Sequence, residues 1–147
     1  MLFHFERDNG LSNNKVGYQC VYKFQFTEND VIKFAEVTGD NNPIHLDKKH
    51  AETTIFKKPI VHGFYVGSVF SRIFGTDYPG VGTIYLHQMM SFLAPVFTNN
   101  FYYASVLVKD IDGIKGKATI VTEILDENQS KILIGEAQIK SQIYRNI

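Results

Sequence analysis

The sequence predicts an α+β domain in which a long antiparallel sheet wraps one buried helix. Three observations lead there. The elements run in the order strand, helices, then four strands, and the last helix is the most apolar. The final strands are joined by short connections, which imply antiparallel pairing. One long apolar helix also needs a surface to bury it, and a curved sheet supplies that surface.

Taken in order, residues 1–16 mix polar and apolar types without a period and read as an extended lead-in. From Gly17 the chain alternates. Tyr18, Cys20, Tyr22, Phe24 and Phe26 fall on one face of a strand, with Gln19, Lys23 and Gln25 on the other. Thr27 has the form of a helix N-cap, with Glu28 and Asp30 in the first turn, where carboxylates suit the helix dipole. Val31, Phe34, Ala35 and Thr38 follow at helical spacing, and Gly39 is the stop. "PIHLDKKHAETTIF" reads as a turn and a short helix capped by Asp47, ended where Pro59 biases Lys58 away from helix.

The helix from His62 to Gly75 is apolar nearly all round, as a buried helix is. Gly63, Gly67, Ser71 and Gly75 recur every fourth residue, a stripe along which another element or a ligand could approach the backbone. Pro79-Gly80 marks a turn. Strands are expected at about 82–93, 100–110, 116–126 and 130–140, separated by Gly113 and "DENQSK". No repeat or linker interrupts the chain, so residues 1–147 form one domain, a size that buries a proper core.

Composition excludes several functions. Lys plus Arg and Asp plus Glu number 15 each, so no net charge draws the chain to nucleic acid or to an anionic membrane. The local exception is a basic cluster, Lys48, Lys49, Lys57 and Lys58, which is either a solvated face or a contact for a phosphate-bearing ligand. Cys20 stands alone, which rules out an intrachain disulfide or a cysteine-rich metal site. The start is too quickly charged for a signal peptide, and no apolar run is long enough to span a membrane. A reducing, cytoplasmic compartment is the expectation.

The chemistry concentrates in "TGDNNPIH", Thr38 to His45. Every residue has an innocent role: Gly39 ends a helix, Asp and Asn suit a turn, and Pro43 fixes a backbone angle. The same stretch could set out Asp40 and His45 as an acid–base pair. Histidine titrates near neutrality, and a nearby carboxylate can share a water with it or fix its tautomer. His45, His50 and His62 with Asp47 lack the spacing of a known metal motif, so no metal is expected. Ser68 and Ser71 sit in no nucleophile elbow, and no phosphate-binding glycine loop is present. His4, His50 and His87 have no motif context and read as surface or core residues.

With "PIVHG" (Pro59 to Gly63) added, the sequence resembles the R-specific enoyl-CoA hydratases, or MaoC-like dehydratases. Thr38, Gly39, Asp40, Asn42, Pro43, Ile44, His45 and Ala51 meet their hydratase motif, and "PGVGTIYLHQMMSFLAPVF" resembles the strand entry after their helix. The likeness runs from about Phe26 to Lys140. It implies a hot-dog fold and a homodimer with an acyl-thioester channel near the subunit interface. Asp40 and His45 would be the catalytic pair and Gly63 the backbone donor to the thioester oxygen. Asn42, Ser71 and His62 would support them, with Ser71 near the pair. The acyl pocket is expected at Phe64, Gly67 and Phe70, with Phe74 further along.

The implied reaction is hydration of trans-2-enoyl-CoA to (R)-3-hydroxyacyl-CoA, reversibly and without a cofactor. Three alternatives stay open: a dehydratase acting on acyl groups held by acyl carrier protein, a hot-dog thioesterase, and a non-catalytic thioester-binding module.

Overall fold

The structure, a computed structural model, describes residues 1–146. Six strands, β1 (Leu2–Asp8), β2 (Gln19–Gln25), β3 (Ile84–Phe92), β4 (Tyr102–Asp112), β5 (Lys117–Asp126) and β6 (Lys131–Lys140), form one sheet in the order β1-β2-β4-β5-β6-β3. All neighbours pair antiparallel. Register slips between Phe5 and Arg7, Tyr85 and His87, and Val108 and Asp110 mark irregularities of the kind that bend a sheet.

Between β2 and β3 come α1 (Glu28–Thr38), α2 (Pro43–Leu46), α3 (Lys48–Glu52) and α4 (Gly63–Arg72), the last continued by a π-helical turn over Ile73–Asp77. The expected caps are present. The Thr27 hydroxyl accepts the Asp30 N–H while the Asp30 carboxylate accepts the Thr27 N–H, a reciprocal capping box. Gly39 ends α1 at φ 77°, and Asp47 caps α3.

The core is the inner face of the sheet. Tyr18, Cys20, Tyr22, Phe24 and Phe26 are all buried, as their alternation predicts, and Tyr102, Ala104, Val106 and Val108 of β4 join them. Against these pack Val66, Val69, Phe70, Ile73 and Phe74 of the central helix and its π turn. Within one chain only one side of α4 is covered: Phe64 is 79% exposed, and Ser71 and Arg72 face outward. No helix among the described residues is long and apolar enough to cross a membrane.

The lead-in contains a strand that the sequence pattern does not reveal. Leu2–Asp8 pairs with β2, and Phe3 and Phe5 pack on Tyr22 at ring-centroid distances of 5.3 and 5.7 Å. As an edge strand it leaves Leu2 and Phe5 more than half exposed, so selection for an apolar face is weak and the period is lost.

Gly135 lies opposite Met90 on β3 and Thr122 on β5. A side chain there would run into the Met89 carbonyl oxygen, and it would also crowd the Gln88 amide that bonds Thr122 Oγ1 at 3.0 Å. Gly135→Ala should therefore destabilise the domain by about 1–3 kcal/mol, read as a lower urea midpoint. An unchanged midpoint would contradict the packing described for β3 and β6.

Candidate active site

The motif folds as a chain of local hydrogen bonds. Thr38 turns its hydroxyl back onto the Phe34 carbonyl at 2.7 Å and accepts the Asp40 N–H at 3.2 Å. The Asp40 carboxylate accepts the Asn42 N–H at 3.3 Å, and the Asn42 side chain accepts the Ile44 N–H at 3.2 Å. Asn42 is thus the N-cap of α2, with Pro43 in the first helical position, where its missing N–H costs nothing. The turn and the site are one structure.

Residues 59–62 then run back beside α2. Ile60 N–H donates to the Ile44 carbonyl at 3.2 Å, and the Ile60 carbonyl faces His45 Nδ1 at 2.8 Å. A carbonyl only accepts, so Nδ1 carries the proton and His45 Nε2 is left as a free acceptor. His62 Nε2 meets the Asp40 carbonyl oxygen at 3.0 Å, and the His62 ring stacks on His45 with centroids 3.9 Å apart. Asp40, His45 and His62 each bring one polar atom within 4.8 Å of the others. The imidazole planes lie 29° apart, the geometry of a stacked pair and not of rings converging on one ion.

Burial differs along this group: Asp40 is exposed, His45 half-buried, and His62 buried at 2% exposure. Desolvation is the main cause holding the His45 pKa below its ordinary 6.5. The Ile60 carbonyl and Asp40 oppose it, and His62 adds to it. At neutral pH the ring is therefore a neutral base with its lone pair on Nε2.

Gly63, the residue after His62, opens α4, where the first N–H groups have no intrahelical acceptor. It lines an apolar cavity of about 350 Å³ with Ile60, Val66, Phe92, Val96 and Leu133. On the other side, His45 lines a cavity of about 360 Å³ with Lys48, Lys57, Lys58 and Phe97. Three of the four clustered lysines thus meet the histidine of the motif. Lys58 Nζ sits 4.5 Å from the Phe97 ring centroid, and Lys48 pairs with Glu28 at 3.5 Å.

The other expected positions are more scattered. Ser71 is exposed and lies eight residues beyond Gly63, about 12 Å along the helix axis; one chain does not bring it to Asp40 and His45. Phe70 and Phe74 are buried in the core, and neither lines the two cavities. Phe64 and Gly67 line a separate open cleft of about 420 Å³ with Tyr85, Gln88 and Met90. Sequence reasoning missed Phe34, whose ring lies 4.8 Å from His62, and the Ile60 carbonyl, a backbone group with no sequence signature.

The chain is similar to several known proteins. The model of the MaoC-like domain matches residues 13–129. An (R)-specific enoyl-CoA hydratase of Aeromonas caviae is 39% identical over 126 residues, covering 86% of this chain and 94% of its own. A 3-hydroxybutyryl-CoA dehydratase of Methylorubrum extorquens is 34% identical over 126 residues, covering 86% of this chain and 80% of its own. The solved structure of an (R)-hydratase from A. caviae involved in PHA biosynthesis matches with a TM-score of 0.82 at 38% identity, over 90% of this chain and 98% of that one. The six-stranded sheet with its central helix is the hot-dog fold of these hydratases, and the chain belongs to the family of MaoC-like domains.

Proposed function

We propose that this protein is a hydro-lyase that adds water to trans-2-enoyl-CoA to give (R)-3-hydroxyacyl-CoA, and runs the reverse dehydration with the same groups. The observation that carries this reading is that Asp40 and a neutral His45 bring polar side-chain atoms within 4.8 Å of each other, with His45 Nδ1 tied to the Ile60 carbonyl, beside the N-terminus of α4. Further support comes from the hydratase and dehydratase names of the two relatives, both for CoA thioesters.

The chemistry needs water, a base, a proton donor and an anion stabiliser, and no cofactor. A water held between Asp40 and His45 loses a proton to the pair as its oxygen bonds to C3. The π electrons of the C2–C3 double bond move toward C2 and the thioester carbonyl, whose oxygen becomes anionic. The Gly63 N–H, at the positive end of α4, stabilises that charge. The enolate collapses as C2 takes a proton from the pair, so one water is consumed and no charge remains. The cavity beside His45, with Lys57 and Lys58, suits the phosphates of the CoA arm. Buried Cys20, its thiol pushed up to about 11 by desolvation, takes no part and is consistent with a reducing, cytoplasmic setting.

We further read the enzyme as a homodimer. The free edge of the sheet, β3, exposes Ile84, Leu86, Met89 and Phe92, and Phe64 of α4 stands beside it. An unpaired apolar edge strand is a surface that a second copy covers. Sedimentation velocity should find a particle of twice the chain's mass; a monomer at micromolar concentration would remove this part of the reading.

Asp40→Asn and His45→Gln should each lower kcat for crotonyl-CoA hydration by about 100-fold or more while the fold, read by circular dichroism, is kept. Wild-type turnover in either variant would sink the pair. Loss of enoyl absorbance without thiol release separates hydration from thioester hydrolysis, and a clear preference for crotonyl-carrier protein over crotonyl-CoA would reassign the substrate's carrier.

The base must be neutral to work, and burial lowers the His45 pKa. The acid limb of the hydration pH profile should thus have its midpoint below pH 6.5. A midpoint above 6.5 would exclude His45 as that base.

A further inference from the structure

Building on the hydratase reading above, we infer that His62 is a positioning residue: it holds its proton on Nε2, ties that proton to the Asp40 carbonyl, and backs the ring of His45, setting acid, base and the Gly63 N–H in one frame.

The first reason is where His62 stands. It occupies the N-cap of α4, a position that favours Ser, Thr, Asp or Asn because their side chains satisfy the helix's first N–H groups. His62 makes no such bond. Its side chain turns away from its own helix, and Nε2 reaches the carbonyl of Asp40, 22 residues earlier, at 3.0 Å. A residue that gives up the local stabilisation of its helix for a distant contact points to a function for that contact.

The second reason is the aromatic column. Tyr65 stacks on Phe34 with centroids 4.7 Å apart and planes 4° apart. Phe34 lies 4.8 Å from His62, and His62 lies 3.9 Å from His45. His62 is therefore gripped between α1 and α2 while it is covalently joined to Gly63 of α4. A shift of this one ring would move the Asp40 loop, the face of His45 and the first N–H of α4 together.

The third reason is hydrogen-bond accounting. The Asp40 carbonyl can only accept, so the proton sits on His62 Nε2. His62 Nδ1 is buried and has no partner. A proton there would be a buried donor without an acceptor, whereas a bare ring nitrogen costs less. The two stacked histidines thus hold opposite tautomers, Nδ1–H on His45 and Nε2–H on His62. That leaves His45 Nε2 as the unprotonated nitrogen of the pair, a free acceptor.

A residue that merely filled the core would be replaceable by phenylalanine, which keeps the column but cannot donate to Asp40. For the full-length enzyme acting on crotonyl-CoA, His62→Phe should lower kcat by about 10- to 100-fold, with KM little changed and thermal midpoint retained. Wild-type kcat in a folded His62→Phe protein would overturn the inference.

Should that variant not fold, the wild-type protein decides. Long-range proton–nitrogen NMR at pH 7.5 should find the His62 proton on Nε2 and the His45 proton on Nδ1; a His62 proton on Nδ1 would overturn the inference. Full activity in Asp40→Asn or His45→Gln would fell the hydratase pair itself. Inactive pair variants beside a fully active His62→Phe would fell only the role given to His62.

Discussion

Helix α4 meets β3 most closely at two residues that have no side chain, Gly63 and Gly67. A Cβ at Gly67 would come within 2.9 Å of the Met90 Cε, and one at Gly63 within 3.2 Å of the Phe92 ring. Gly63 and Gly67 thus mark where α4 comes up against the side chains of β3, and Gly63 also opens the helix, where N–H groups are unpaired. His62 precedes Gly63, so the buried imidazole stands at the start of the same helix.

From that anchor the site is assembled by backbone groups as much as by side chains. The Ile60 carbonyl decides which nitrogen of His45 carries the proton, and the Asp40 carbonyl does the same for His62. Both carbonyls lie in irregular segments, where the backbone is free of helix and sheet ladders and can accept from a ring. Pro43 and Asn42 make the α2 turn rigid, so the carboxylate and the imidazole are held by the same few residues that end one helix and begin the next. In the proposed reaction, preorganisation of this kind would remove the cost of orienting the groups.

Much of the fold was legible because it rests on local rules. Thr27, Gly39 and Asp47 act through neighbours two to four residues away, so their roles could be read from spacing. The alternation of β2 and β4 could be read because one face meets the core and the other does not. β1 could not, since an edge strand exposed on both faces carries no period. In the site, Asp40, Asn42 and His45 share one short motif and were visible. Phe34 was not, because its contact with His62 spans 28 residues and an aromatic in a helix is ordinarily just core. Ser71 shows the converse: helical spacing put it on the glycine stripe, yet the rise along the helix carries it away from the pair within one chain.

The sequence alone determined the class of fold, the caps, the turn chemistry and the short motif that carries the two residues of the proposed pair, since each depends on short-range geometry that residue types encode directly. Only the tertiary structure decided that His62 turns from its own helix to Asp40, that its ring lies on His45, and that three lysines share a cavity with that histidine. Those are meetings between separate segments of the chain, which the spacing of residue types does not encode.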